Sequence, residues 1–186
     1  MNATTRRALA VAVLLALSGC TGAISPGADG TPTAGERTAT VVDVVDGDTV
    51  DVRFADGTEE RVRLLGVDTP EVYADPSPGE FEGVPDTESG RTCLREWGER
   101  ASEFATDRLA GESVVVETDA EADRRGGYDR LLAYVTVDGR DRSFNRALLD
   151  DGYARLYDTA FTERDAFAAA ERRARQNETG LWACAT

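Results

Sequence analysis

The chain has no histidine and, along its 186 residues, no lysine, so all 21 basic residues are arginine. Without histidine there is no imidazole base, no histidine-centred triad and no histidine metal ligand. Only three cysteines are present, too few and too scattered for a cysteine zinc site. One methionine stands at the start, and no internal repeat is visible. A long hydrophobic run is missing too: the longest, Ala8 to Leu17, is too short to cross a bilayer comfortably. With no histidine, a catalytic base must be a carboxylate, a tyrosinate or a metal-bound hydroxide.

Acidic residues are abundant, with 35 Asp and Glu and a formal net charge of −14. An acidic, lysine-free surface suits concentrated salt, where carboxylates hold water and cations and keep the chain in solution. In molar salt the screening length is about 3 Å. Only contacts inside a site still count there, so the net charge does not exclude a polyanionic substrate.

Arg6 and Arg7 precede the apolar run, the arrangement of a signal peptide. The run ends in Leu17-Ser18-Gly19-Cys20, which resembles a lipobox with Cys20 as the lipidated residue. We expect residues 1–19 to be a signal peptide, residues 20–37 a lipidated cysteine with a Gly-, Pro-, Ser- and Thr-rich tether, and residues 38–184 the folded domain. Export would leave Cys93 and Cys184 in an oxidising compartment as a candidate disulfide. The expected location is the outer face of the cytoplasmic membrane, through the lipid anchor, or the medium.

Within the domain, valine-rich runs between Ala39 and Val67 alternate with period two, which predicts strands joined by a turn at Ala55-Asp56-Gly57-Thr58. Val62 and Leu64 fall on one side of the return strand, with Arg61, Arg63 and Leu65 on the other. Further strands are expected at Ser113–Thr118 and Leu131–Val137, making five, the number in an OB-type barrel. Helices are expected over Glu96–Leu109, after the Ser143 cap, and from Thr162 to about Asn177. Thr162 and Asp165 are placed for a capping-box variant, with Phe161 stapled on Ala166. The class is α+β, without a βαβ rhythm. The Pro-, Gly- and acid-rich stretch from Val72 to Cys93 reads as a mobile flap.

Three clusters could carry chemistry. Asp46-Gly47-Asp48-Thr49 opens a strand and does not follow the EF-hand ligand spacing. Arg63 to Glu71 puts a cation, two carboxylates and a proline-fixed turn within nine residues, and its plain alternative is a turn capped by Asp68 with a surface Arg63–Glu71 ion pair. Tyr128-Asp129-Arg130 opens the last valine- and leucine-rich strand. Together they hold the parts of a one-metal hydrolase. Asp48 and Asp68 are oxygen ligands suited to Ca²⁺, Arg63 and Arg130 are forks for phosphate oxygens, and Glu71 remains as the base.

Val45 to Val50, Val62 to Glu71, Tyr128 to Tyr134, Asn145-Arg146-Ala147-Leu148-Leu149 with Gly152, and Gly180-Leu181-Trp182 resemble the staphylococcal nuclease family in order and spacing. The resemblance runs from about Thr38 to Trp182. It implies an OB barrel with three helices, Ca²⁺ held by Asp48, Asp68 and the Thr69 carbonyl, and a phosphate gripped by Arg63 and Arg130. It also implies Glu71 as activator of water and Tyr128 along the nucleotide, with Tyr157 as a candidate second tyrosine. The implied activity is Ca²⁺-dependent cleavage of DNA and RNA, single strands included, with little sequence preference, 3′-phosphate products and a monomeric enzyme. The family's Tyr-Gly-Arg is Tyr128-Asp129-Arg130 here, which sets a negative charge beside the second arginine. A silent nucleic-acid or protein adaptor, and an acidic cation-binding surface protein, are the rival readings.

Overall fold

The computed structural model describes residues 35–185. The expected signal peptide, the expected lipobox with Cys20 and most of the expected tether lie outside these described residues.

Five strands close into a barrel in the order β1 (Glu36–Val44), β2 (Thr49–Phe54), β3 (Glu59–Leu64), β6 (Leu131–Val137), β5 (Ser113–Glu117). Four of the five pairings are antiparallel, and β3 with β6 is parallel. Closure leaves no free sheet edge, and alternate residues turn inward. Val50, Val52 and Phe54 are buried from β2, and Val62 and Leu64 from β3. At the β2–β3 turn Gly57 takes a φ of 85°, in the left-handed region such a turn favours. The alternation fails at Leu65, which was expected on the side opposite Val62 and Leu64, with Arg61 and Arg63. β3 ends at Leu64, the chain turns inward, and Leu65 is buried.

A short two-stranded sheet, β4 (Val67–Asp68) with β7 (Arg155–Leu156), was not foreseen. It ties the end of the β3 segment to the stretch after α2 (Phe144–Asp150). Ser143 caps α2 as expected, its hydroxyl accepting from the Arg146 N–H at 3.3 Å. The fully buried Asn145 donates to the carbonyls of Leu65 (3.0 Å) and Ala133 (3.1 Å) and accepts from the Val135 N–H at 3.0 Å. One side chain thus clips the exit of β3 to β6.

α1 spans Glu88–Leu109, eight residues longer at its start than expected. The Thr87 hydroxyl caps it, accepting from the Gly90 N–H. The preceding stretch is no free flap. It makes a 3-10 turn at Pro78–Glu80 and buries Phe81 and Val84 against Leu94, Ala174, Leu181 and Trp182. A disulfide joins Cys93 to Cys184 within this second cluster. Apolar residues separated by polar ones, without helical or strand periodicity, hid this small core from pattern reading.

α3 spans Arg164–Gln176, and the expected capping box does not form. The Thr162 N–H and hydroxyl both donate to Asp119, at 3.0 and 3.1 Å, and Phe161 packs edge-on against Phe167. Among the described residues no helix is long and apolar enough to cross a membrane.

Candidate functional site

The turn Asp46-Gly47-Asp48 lies between β1 and β2, against α1 and the turn at Thr69. A Cβ on Gly47 would stand 2.8 Å from the Ala101 Cβ and 2.9 Å from the Thr69 Cγ2. One on Gly98 of α1 would stand 2.5 Å from the Pro70 carbonyl oxygen. Both glycines let α1 press against the two acidic turns and fix their separation.

Asp48 is buried at 5% exposure. Its Oδ2 accepts from the Thr69 N–H (2.8 Å) and hydroxyl (3.1 Å), and its Oδ1 accepts from the Thr49 hydroxyl. Arg63 leaves the end of β3 with its guanidinium between two carboxylates, Nη1 at 2.9 Å from Asp48 Oδ2 and Nη2 at 2.6 Å from Asp68 Oδ1. Its Nη1 also donates to the Val67 carbonyl at 2.9 Å. The surface pair of Arg63 with Glu71 therefore does not form.

Burial pushes the Asp68 carboxyl up, and the charges of Arg63 and Arg155 only partly offset this. Asp46 is raised as well, by burial and then by the Asp48 charge. Taking charged carboxylates out of water is unfavourable unless cations neutralise them. Among the described residues no group of three or more acidic, cysteine or histidine side chains converges as a metal cage. Asp48 and Asp68 suit a hard cation as a carboxylate pair, with the Thr69 carbonyl and water to complete an oxygen shell, as Ca²⁺ accepts.

One cleft of about 440 Å³ is lined by Asp46, Asp48, Arg63, Asp68, Thr69, Glu71, Arg130 and Tyr157. Seven of the expected site residues thus share one concavity, although they come from four parts of the chain. Glu71 is exposed at its wall. Arg130 points its Nε at the Gly127 carbonyl, 3.1 Å away. Tyr128 is not among the lining residues: it is 98% exposed at φ 59° and stands near Arg130, whose guanidinium carbon is 5.8 Å from its ring centroid.

Asp129 adopts φ 60°, a left-handed conformation that glycine favours and aspartate tolerates. Arg125 pairs with it, Nε standing 3.5 Å from Asp129 Oδ1 and Nη1 donating to the Asp129 carbonyl at 2.6 Å, while also pairing with Glu60. The negative charge beside the second arginine thus has an exposed arginine partner, shared with Glu60.

Sequence reading missed Arg155, whose Nη2 is 2.7 Å from Asp68 Oδ2. The only hint was an arginine two residues before Tyr157. Its meeting with Asp68 depends on the β4–β7 pairing, which two-residue strands do not announce.

The staphylococcal nuclease homologue family model matches residues 61–184, a span that holds Arg63, Asp68, Thr69, Glu71 and Arg130. The chain is 42% identical over 147 residues to an uncharacterised protein of Methanocaldococcus jannaschii, covering 76% of this chain and 70% of that one. It is 31% identical over 155 residues to the thermonuclease of Staphylococcus hyicus, covering 82% of this chain and 80% of the relative. It is also 33% identical to endonuclease YncB of Bacillus subtilis, over 74% of this chain and 58% of that protein. With barrel, cleft and matched span in agreement, the chain belongs to the staphylococcal nuclease family.

Proposed function

We propose that the chain is a Ca²⁺-dependent nuclease that hydrolyses phosphodiester bonds of DNA and RNA, acting as a monomer outside the cell. The observation that carries this reading is the single cleft in which Asp48, Asp68, Glu71, Arg63 and Arg130 meet. Relatives named thermonuclease and endonuclease support the reaction class.

Asp48, Asp68 and the Thr69 carbonyl are the residues to hold the cation, which would supply positive charge beside the scissile phosphate. Arg63 and Arg130 offer planar N–H forks to the non-bridging phosphate oxygens, which gain charge in the transition state. Glu71, a carboxylate free of the arginines around it, takes a proton from the attacking water. Water oxygen bonds to phosphorus, the bond to the 5′ oxygen breaks, and solvent protonates the leaving oxygen. The products are a 3′-phosphate and a 5′-hydroxyl. Tyr157 at the cleft wall and Tyr128 beside Arg130 offer ring faces to unpaired bases, which suits single-stranded substrate.

Export and anchoring through Cys20 rest on the N-terminal sequence, and the Cys93–Cys184 disulfide suits an oxidising compartment. The lysine-free acidic composition supports work in concentrated salt. Replacing Glu71 by Gln is expected to lower kcat on single-stranded DNA by roughly 10²- to 10⁴-fold with KM little changed. A Glu71→Gln protein with full activity would exclude Glu71 as the base.

A further inference from the structure

We infer that Arg155 is a positioning residue: it orients the Asp68 carboxylate for cation binding. The inference rests on the proposed role of Asp68 as a cation ligand.

The β4–β7 register sets Asp68 directly opposite Arg155. Arg155 Nη2 reaches Asp68 Oδ2 at 2.7 Å, while Arg63 Nη2 reaches Oδ1 at 2.6 Å. Each carboxylate oxygen therefore meets one guanidinium. A carboxylate oxygen has two lone pairs, so each keeps one for a cation while the carboxylate plane is held from both sides. Carboxylate ligands gain affinity from such outer partners, which fix their direction before the ion arrives.

Arg155 is itself held in place. Its side chain is 19% exposed, and its guanidinium carbon lies 5.6 Å from the Phe81 ring centroid and 5.9 Å from that of Tyr157. Nη1 donates to the Leu156 carbonyl at 3.3 Å, and Nη2 also stands 3.4 Å from Glu80 Oε2. Its Nε is buried without a hydrogen-bond partner. The rings and the two outer nitrogens thus set the guanidinium plane. A lysine would keep the charge and lose the planar fork and the ring contacts. The two roles an arginine could play here, fixed donor or mere positive charge, therefore separate experimentally.

The experiment is a Tb³⁺ titration followed by luminescence sensitised through nearby tyrosines, with Ca²⁺ as competitor and folding checked by circular dichroism. It uses the unaltered protein, Arg155→Lys, Arg155→Met and Asp68→Asn. A positioning role predicts that Arg155→Lys and Arg155→Met both bind Tb³⁺ at least about ten-fold more weakly. If Arg155 acted only as a charge repelling the ion, Arg155→Met would bind more tightly and Arg155→Lys would be unchanged. Either variant binding Tb³⁺ as tightly as the unaltered protein overturns the inference. Should Arg155→Met not fold, Arg155→Lys alone decides. An Asp68→Asn protein with undiminished Tb³⁺ binding would instead overturn the ligand role of Asp68, a separate failure.

Discussion

Between Asp48 and Asp68 stands one guanidinium, that of Arg63, and its position has two opposite effects. Without it the buried Asp48 would lose its arginine partner and Asp68 would keep Arg155, at a cost of about 3 kcal/mol to the cation-free fold. With it, the same carboxylates are partly neutralised before a cation binds. Arg63→Ala is therefore expected to be less stable without cation and, at saturating Ca²⁺, to lose cleavage by roughly 10²-fold or more. Urea titration without Ca²⁺ beside single-turnover cleavage at saturating Ca²⁺ checks this. Cleavage within a few-fold of the unaltered protein's at saturating Ca²⁺ would contradict it. At this scale the shared cleft of Asp48, Arg63, Asp68, Glu71 and Arg130 could be anticipated from residue type, spacing and family resemblance. Arg155 could not, since its meaning depends on a partner far away in sequence. The orientation of Asp129 toward Arg125 likewise depends on a backbone conformation that the letters do not state.

The elements that carry the site are held by a few buried polar contacts. Asn145→Leu removes three hydrogen bonds and leaves the Leu65 carbonyl and Val135 N–H short of partners. It is expected to lower the free energy of unfolding by about 3 kcal/mol in urea titration. A change within about 0.5 kcal/mol, as for an ordinary surface site, would show that the clip is redundant. Asp119 joins the end of β5 to β6 and to the start of α3. Partial burial works against its ionisation, but donors from Glu121, Tyr134 and Thr162 prevail and hold the carboxyl below its ordinary value of 3.8. A depressed folded value means stability present above 3.8 and lost as pH falls through the lower folded value. Urea titrations across this range should show unaltered protein losing stability with acid more steeply than Asp119→Asn. Parallel curves would show no linkage. The five barrel strands were legible because period-two alternation follows from one buried face. The N-terminal two turns of α1 were not, because Glu88, Ser89, Gly90 and Arg91 show no apolar period. Thr162 misled for a related reason: a good capping residue bonded Asp119 instead.

At the scale of the whole molecule, an acidic chain of net charge −14 carries a cleft suited to a polyanion. These features conflict in dilute buffer and are compatible in molar salt, where distant repulsion is screened and short contacts by Arg63 and Arg130 persist. The class of the fold and its closed barrel were readable from the sequence. The Cys93–Cys184 disulfide was expected from the paired cysteines, but the second small core around it, with Phe81 and Trp182, was not, because its members come from separate stretches with no shared period. The most direct measurement of the central claim is degradation of single-stranded DNA by the purified protein in molar salt, with Ca²⁺ or with chelator, followed by end analysis of the products. Cleavage that requires Ca²⁺, stops with chelator and leaves 3′-phosphate ends is the expected result. Folded protein that leaves the DNA intact in Ca²⁺, or cleaves it equally well with chelator, would contradict a Ca²⁺-dependent nuclease.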